Sequence, residues 1–310
     1  MNGTLLVTCR QMQTALPRHI DRLHASGYAV LAPDLGERQQ FTAAELLSFA
    51  PRITGIIAGD DELDREFFAG AAPHLRAVVR WGIGMDSVDF EAAEEYNVPV
   101  RNTPGVFGDE VADSAMAYLL AIARGIADVD RRVRAGEWPK HEGVTLAGST
   151  IGIVGLGAIG RQVARRAEAF GMRVIGYDPY PPAALEGVEV VPLHELVSAA
   201  RFVVLCCPLT ETTHHLVDAA FLDAMGDDAF LVNVARGPVV DEAALAVALT
   251  EGHIAGAALD VFETEPLPSD SPLRRFSNVI LGAHNGSNTR QGVERASTAA
   301  VDILLTELSS

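Results

Sequence analysis

Lysine is almost missing from this chain: Lys140 is the only one among 310 residues. It follows Pro139 rather than a glycine-rich run, so no phosphate-cradling G-x-x-x-x-G-K-[ST] loop exists. Gly136 stands four residues before it, which removes the Tyr-x-x-x-Lys pair of short-chain dehydrogenases, and a Schiff base would have to use that one residue. Cysteine is scarce too. Cys9, Cys206 and Cys207 are too few and too clustered for a disulfide framework, which points to a reducing compartment. The Cys206–Cys207 pair with His214 and His215 matches no usual ligand spacing, so no metal is expected; buried strand cysteines and solvated histidines are. Positive charge is short as well, 24 basic residues against 41 acidic for a net charge of −17. No basic cluster interleaves with aromatics, so nucleic acid and anionic membranes are poor partners and a small molecule suits the chain better. No apolar run is long enough to span a membrane, and the N-terminus enters a strand without a leader pattern, so a cytoplasmic location is expected. There is no G-x-S-x-G elbow, and His194-Glu195 is followed by Ser198 where a zinc-protease helix needs its second histidine.

What the chain does have is 48% hydrophobic residues, enough for two well-developed cores at this length. Short apolar runs alternate with helical patterns, the signature of doubly wound parallel sheets. Strands are predicted at 5–9, 29–32, 53–58, 77–81 and 98–101, with helices of ordinary length between them. One long helix is predicted over Asp109–Arg134, linking two domains. Six further strands at 151–154, 173–177, 202–206, 230–234, 255–259 and 279–281 would complete a Rossmann sheet. A last helix, 288–308, would return to the first domain. The expected division is 1–101 with 286–310, and 102–285.

The run Ile151-Gly152-Ile153-Val154-Gly155-Leu156-Gly157-Ala158-Ile159-Gly160 carries an apolar strand into G-x-G-x-x-G. Gly155 permits the tight turn, Gly157 lets the backbone approach a pyrophosphate, and Gly160 lets the helix pack close to the strand. Ile159, Val163, Ala167 and Phe170 then repeat at helical spacing until Gly171. Asp178 ends the next strand, where a carboxylate can accept hydrogen bonds from an adenosine ribose and repel a 2′-phosphate. NAD is therefore the expected cofactor, in preference to NADP.

Three polar residues follow successive strands: Arg236 in Asn233–Gly237, Glu265 in Asp260–Pro266 and His284 in Gly282–Gly286. Strand ends are where open α/β sheets gather ligands. Reduction of a ketone needs a hydride donor, a proton donor to the forming alkoxide, and a fixed positive charge that polarises the carbonyl and holds a carboxylate. Histidine, arginine and a nicotinamide supply those parts, and a carboxylate beside the histidine keeps it protonated.

Together with Gly82-Ile83-Gly84-Met85-Asp86, Asn102-Thr103-Pro104-Gly105 and Pro208-Leu209-Thr210, these motifs resemble the D-isomer-specific 2-hydroxyacid dehydrogenases along essentially the whole chain. The resemblance implies a flavodoxin-like substrate domain and an NAD-binding Rossmann domain, with the active site in the cleft. It makes His284 the acid/base, Glu265 its partner and Arg236 the substrate-orienting group. Asp260 would lie near the nicotinamide amide, and the Ile83 and Gly84 N–H groups would meet the substrate carboxylate. It further implies cofactor contacts from Thr103, Ala158, Ile159, Pro208, Thr213, Val234 and Ala235, and a homodimer through the cofactor domains.

Small 2-oxo acids such as glyoxylate, hydroxypyruvate and pyruvate are the expected substrates. Formate dehydrogenases, similar overall, carry glutamine where Glu265 stands. Phosphoglycerate dehydrogenases often place arginine and serine after the third strand, where this chain has Ala58-Gly59-Asp60-Asp61. Asp60 and Asp61 are expected to repel a phosphorylated substrate, unless Arg52 or Arg80 compensates. Three alternatives stay open: 3-phosphoglycerate oxidation, phosphite oxidation, and an NAD-sensing role like that of corepressors with this fold.

Overall fold

Apolar runs buried on both faces form parallel strands. A computed structural model describes residues 2–36, 38–182 and 185–309, and the chain divides into two units, Met1–Phe107 with Asn288–Ser310, and Gly108–Ser287. Both breaks fall a few residues later than the sequence places them. In the first unit, β1 (Gly3–Val7), β2 (Tyr28–Leu31), β3 (Gly55–Ala58), β4 (Ala77–Arg80) and β5 (Val100–Asn102) make one sheet, entirely parallel, ordered β2-β1-β3-β4-β5. This is the flavodoxin-like order, and it reverses between β1 and β3. The helices between these strands are shorter than expected. Arg10–Ala15, Ala43–Phe49 and Arg65–Ala71 each stop just before a proline, Pro17, Pro51 and Pro73, which removes a helical hydrogen bond and restrains the residue ahead of it.

Helix Arg290–Ser309 packs on β3 and β4 and buries Val293, Ala300, Val301, Leu304 and Leu308. Each of the larger side chains contributes about 1.5–3 kcal/mol through that burial. Trp81, just past β4, donates from Nε1 to Ser297 Oγ at 3.1 Å, and its ring lies 5.1 Å from that of Phe107. The end of β4 is thereby tied to the C-terminal helix.

The second unit holds β6 (Thr150–Val154), β7 (Arg173–Tyr177), β8 (Glu189–Val190), β9 (Phe202–Leu205), β10 (Phe230–Asn233), β11 (Gly256–Leu259) and β12 (Val279–Leu281). All pair in parallel, in the order β12-β11-β10-β9-β6-β7-β8. Taken from β8 to β11, this is the 3-2-1-4-5-6 Rossmann order with β12 added, reversing between β6 and β9. The sequence shows six of the seven strands. β8 is two exposed residues long and so leaves no apolar run to see. The core under the sheet is built from fully buried side chains such as Leu196, Val203, Leu231 and Leu245, and the Phe202 and Phe230 rings stack 5.4 Å apart.

The single helix expected over Asp109–Arg134 is two, Gly108–Ala123 and Ile126–Arg134, both in the second unit, so it does not link the units. Gly125 sits between them in the left-handed region at φ +60° and ends the first. Among the described residues no helix is long and apolar enough to cross a membrane.

Candidate active site

At the reversal point of the second sheet, β6 runs into the glycine loop. Gly155 has φ +95°, and a Cβ there would lie 2.7 Å from Cys207 N, against the backbone that follows β9. A Cβ at Gly160 would lie 2.0 Å from Gly155 O, so helix Ala158–Ala169 can sit this close to its own loop only with glycine. Gly157, the N-cap of that helix, faces open space. Space over Gly157 at the positive end of a helix is what a pyrophosphate needs. Gly157 and Ala158 are exposed and Ile159 half-buried. The Asp178 carboxylate accepts from Leu156 N at 2.8 Å and from Tyr180 N at 2.9 Å. Its location agrees with the sequence reading, but it also holds the glycine loop, a task that reading did not foresee. These residues fit an NAD molecule.

Three loops follow β10, β11 and β12. After β10, fully buried Asn233 clips the turn: its Nδ2 donates to Arg236 O at 3.0 Å and its Oδ1 accepts from Ala235 N at 3.0 Å. Val234 and Ala235 are buried, and Arg236 is half-buried, with Nη1 donating to Ala235 O at 2.8 Å. After β11, Glu265 folds back so that Oε1 accepts from Phe262 N at 2.9 Å, while Oε2 lies 2.7 Å from His284 Nδ1. Against a carboxylate, Nδ1 is the donor, which leaves Nε2 as the nitrogen that can give or take a proton. His284 occupies the left-handed region at φ +50°, its N–H donating to Asp260 O at 2.6 Å. Such backbone strain in a non-glycine residue is concentrated at functional sites.

Asp260 is buried and its carboxylate is fully engaged. Tyr118 donates to Oδ1 at 2.7 Å, Asn285 N to the same oxygen at 3.1 Å, and Gly286 N to Oδ2 at 2.8 Å. It anchors the loop that carries His284. Burial, and then the hydrogen bond to Asp260, push the Tyr118 phenol above its ordinary range and keep it a donor. Neither Tyr118 nor Asn233 was given a role from sequence, because each acts through a tertiary contact. Pro208 is exposed just past β9, and the Thr213 hydroxyl caps the following turn, donating to Pro208 O and accepting from Thr210 N, both at 2.7 Å. Cys206 and Cys207 lie beyond β9 rather than within it. Burial raises Cys9 to about 12 and Cys207 to about 11, so neither is a nucleophile at neutral pH.

In the first unit, Ile83 is exposed and Gly84 half-buried, with Ile83 O held by Asn102 Nδ2 at 2.7 Å. Thr103, expected to contact the cofactor, is wholly buried. Its Oγ1 accepts from Gly82 N at 2.9 Å and shapes the Gly82–Gly84 loop from within. The two carboxylates after β3 also differ from the sequence reading. Asp61 is fully buried and accepts from Thr8 Oγ1, from Phe41 N at 2.8 Å and from Gly59 N at 3.0 Å, so it braces the loop and does not face a ligand. Asp60 pairs with Arg80 and accepts from Gln39 Nε2 at 2.8 Å. The sheet-order reversal falls beside this loop.

Residues 116–286 match the family model for the D-isomer specific 2-hydroxyacid dehydrogenase, NAD binding domain. The chain is 44% identical over 254 residues to a glyoxylate reductase of Korarchaeum cryptofilum, covering 79% of this chain and 76% of that one. It is 43% identical over 237 residues to a D-3-phosphoglycerate dehydrogenase of Methanocaldococcus jannaschii, 74% of this chain but 45% of that protein. The structure of an NAD-dependent formate dehydrogenase from Staphylococcus aureus in complex with NAD superposes with a TM-score of 0.86 at 29% identity, over 97% of this chain and 94% of that one. This chain therefore belongs to the D-isomer-specific 2-hydroxyacid dehydrogenases, NAD-dependent oxidoreductases acting on the CH–OH group.

Proposed function

We propose that the protein reduces small, unphosphorylated 2-oxo acids of the glyoxylate and hydroxypyruvate type, with NADH preferred over NADPH. The carrying observation is the 2.7 Å contact between His284 Nδ1 and Glu265 Oε2 on a scaffold of this family. The nicotinamide supplies a hydride to the carbonyl carbon when bound. The carbonyl oxygen takes its proton from His284 Nε2, and Glu265 stabilises the imidazolium before that transfer. Arg236 holds the substrate carboxylate and polarises the carbonyl. For the first unit taken by itself, the resemblance offers the Ile83 and Gly84 N–H groups as carboxylate donors. Gly155, Gly157, Ala158, Ile159 and Gly160 receive the pyrophosphate, Asp178 the adenosine ribose, and Pro208, Thr213, Val234 and Ala235 line the cofactor. Asp260 acts as the anchor beneath His284. Three unpaired cysteines suit a cytoplasmic setting.

The preference against phosphate rests on Arg80, whose guanidinium is already committed to Asp60 and to Trp81 O, and on Asp60 itself beside the loop. An NADH-oxidation panel of glyoxylate, hydroxypyruvate, pyruvate and phosphohydroxypyruvate tests the reading. The unphosphorylated acids should give the higher kcat/KM, and NADPH should serve poorly until Asp178→Ala narrows the gap. A clear preference for phosphohydroxypyruvate would instead support the phosphoglycerate likeness, and tight NADH binding without turnover of any acid would support a sensor. A homodimer belongs to the same proposal. Helix Ile126–Arg134 buries no side chain and leaves Ile126 54% exposed, and Trp138 after it is 78% exposed; these exposed apolar side chains among ion-paired arginines and aspartates are the places a second copy could cover. Sedimentation should show a dimer that Trp138→Arg weakens; a monomer for the parent chain rejects it.

A further inference from the structure

Besides His284–Glu265 and His253–Asp223, the same unit holds a histidine–carboxylate contact two residues upstream of Glu265. His215 Nε2 is 2.6 Å from Glu263 Oε1. The two residues belong to different loops, one after β9 and one after β11, and 48 positions separate them. Resting on the acid–base reading above, we propose that His215 is a positioning residue for the Glu265–His284 pair, clamping the loop that carries Glu265 through the Glu263 carboxylate.

The clamp is braced on its own side. His215 holds φ +50°, with its N–H donating to Pro238 O at 2.8 Å. Two residues on, Val217 N donates to Val239 O at 3.0 Å and Val217 O accepts from Asp241 N at 3.0 Å, lacing this segment to the one that follows Arg236. On the other side, Glu263 N donates to Glu242 Oε1 at 2.7 Å, so the backbone of Glu263 is held by one residue and its carboxylate by another. The groups facing the clamp are mostly acidic. Asp241 Oδ2 lies 3.9 Å from His215 Nδ1, and Glu242 and Glu265 flank Glu263. The His214 ring stacks on His215 at 4.1 Å. Burial pushes the Glu242 carboxyl above its ordinary range; the hydrogen bond from Glu263 N works against that, and the charges of Glu263 and Glu265 add to it. An imidazole gripping Glu263 opposes that mutual repulsion and keeps the short Phe262–Glu265 turn closed, which in turn holds Glu265 against His284. The His215–Glu263 pair is about a third exposed on each side, so its direct contribution to stability is small. Geometry is what it supplies, and misplacement by about 1 Å can cost about a hundredfold in rate.

His215→Asn tests this, because asparagine tolerates the left-handed backbone while its side chain is too short to reach Glu263. Glu263→Gln attacks the same contact from the other loop and leaves the His215 backbone intact. Both should lower kcat for 2-oxo acid reduction about tenfold, with KM for NADH within about twofold. Both should also move the alkaline limb of the reduction profile to lower pH, in the direction Glu265→Gln moves it. In a Glu265→Gln background His215→Asn should add almost nothing, since the two changes act through one contact. A lowered Tm with an unmoved pH profile, or losses that add in the double variant, overturns the clamp. If Glu265→Gln itself leaves the profile unmoved, the acid–base reading fails and the clamp fails with it; if only His215→Asn leaves it unmoved, the clamp alone fails.

Discussion

His284→Ala should lower turnover by about two to four powers of ten, the usual scale of general acid–base catalysis, while NADH affinity stays within about twofold. The asymmetry follows from the structure. The imidazole meets Glu265 through Nδ1, whereas the glycine loop proposed to receive the cofactor is built from β6 and the helix after it. Loss of the ring removes a proton donor without disturbing that loop. Glu265→Gln provides the charge-specific counterpart. The amide keeps the shape but no longer stabilises the imidazolium, so the ring loses its proton at lower pH. Reduction, which needs the protonated ring, should begin to fail at more acidic pH than in the parent, and oxidation, which needs the neutral ring, should extend to lower pH. Near-normal single-turnover rates in His284→Ala would remove the histidine from the mechanism.

Gly237→Ala should be nearly as damaging, although residue 237 offers no functional group. A Cβ there would lie 1.8 Å from both C and O of Phe262 and 2.4 Å from Glu263 N. The collision is with main chain, so no rotamer change relieves it, and one of the two loops must retreat by more than about 1 Å. Arg236 lies in one of those loops and Glu265 in the other. Turnover should fall by about a hundredfold or more from misplacement alone, and stability by about 1–3 kcal/mol as in other overpacked sites. Fluorescence titration should find NADH still bound. Turnover within tenfold of the parent, with the fold intact, would show that the two loops can separate without consequence.

Much of the architecture is legible because a parallel sheet buries its strands on both faces. Runs such as Gly55–Ala58 and Phe202–Leu205 then have no solvent-facing residue to break the signal. Where burial fails, so does the reading: Glu189–Val190 pairs with β7 but is exposed, and nothing marks it. The helix break at Gly125 was hidden because an isolated glycine is tolerated inside a helical pattern, and only its left-handed backbone ends the helix. At the site, the motif residues His284, Glu265 and Arg236 are legible and their supports are not. Tyr118 reaches Asp260 across 142 positions, and no local pattern encodes that contact. Asp60 and Asp61 show the limit most sharply. Adjacent in sequence and identical in chemistry, they point to different surroundings, one paired with a cation and one sealed among backbone donors. Thr103 shows the same limit, since a motif position does not reveal that its hydroxyl turns inward to accept from Gly82 N.

The helix Arg290–Ser309 also bears on synthesis. It covers β3 and β4, so the first sheet keeps an apolar face open until the ribosome has released the last of these residues. By then every strand of the second unit has emerged, and its core can close while the first waits. A chain released after residue 287 would carry a finished nucleotide-binding unit behind an unfinished and adhesive one, whose Leu5, Ile57 and Val79, on the face that the helix covers, would be natural targets for chaperones.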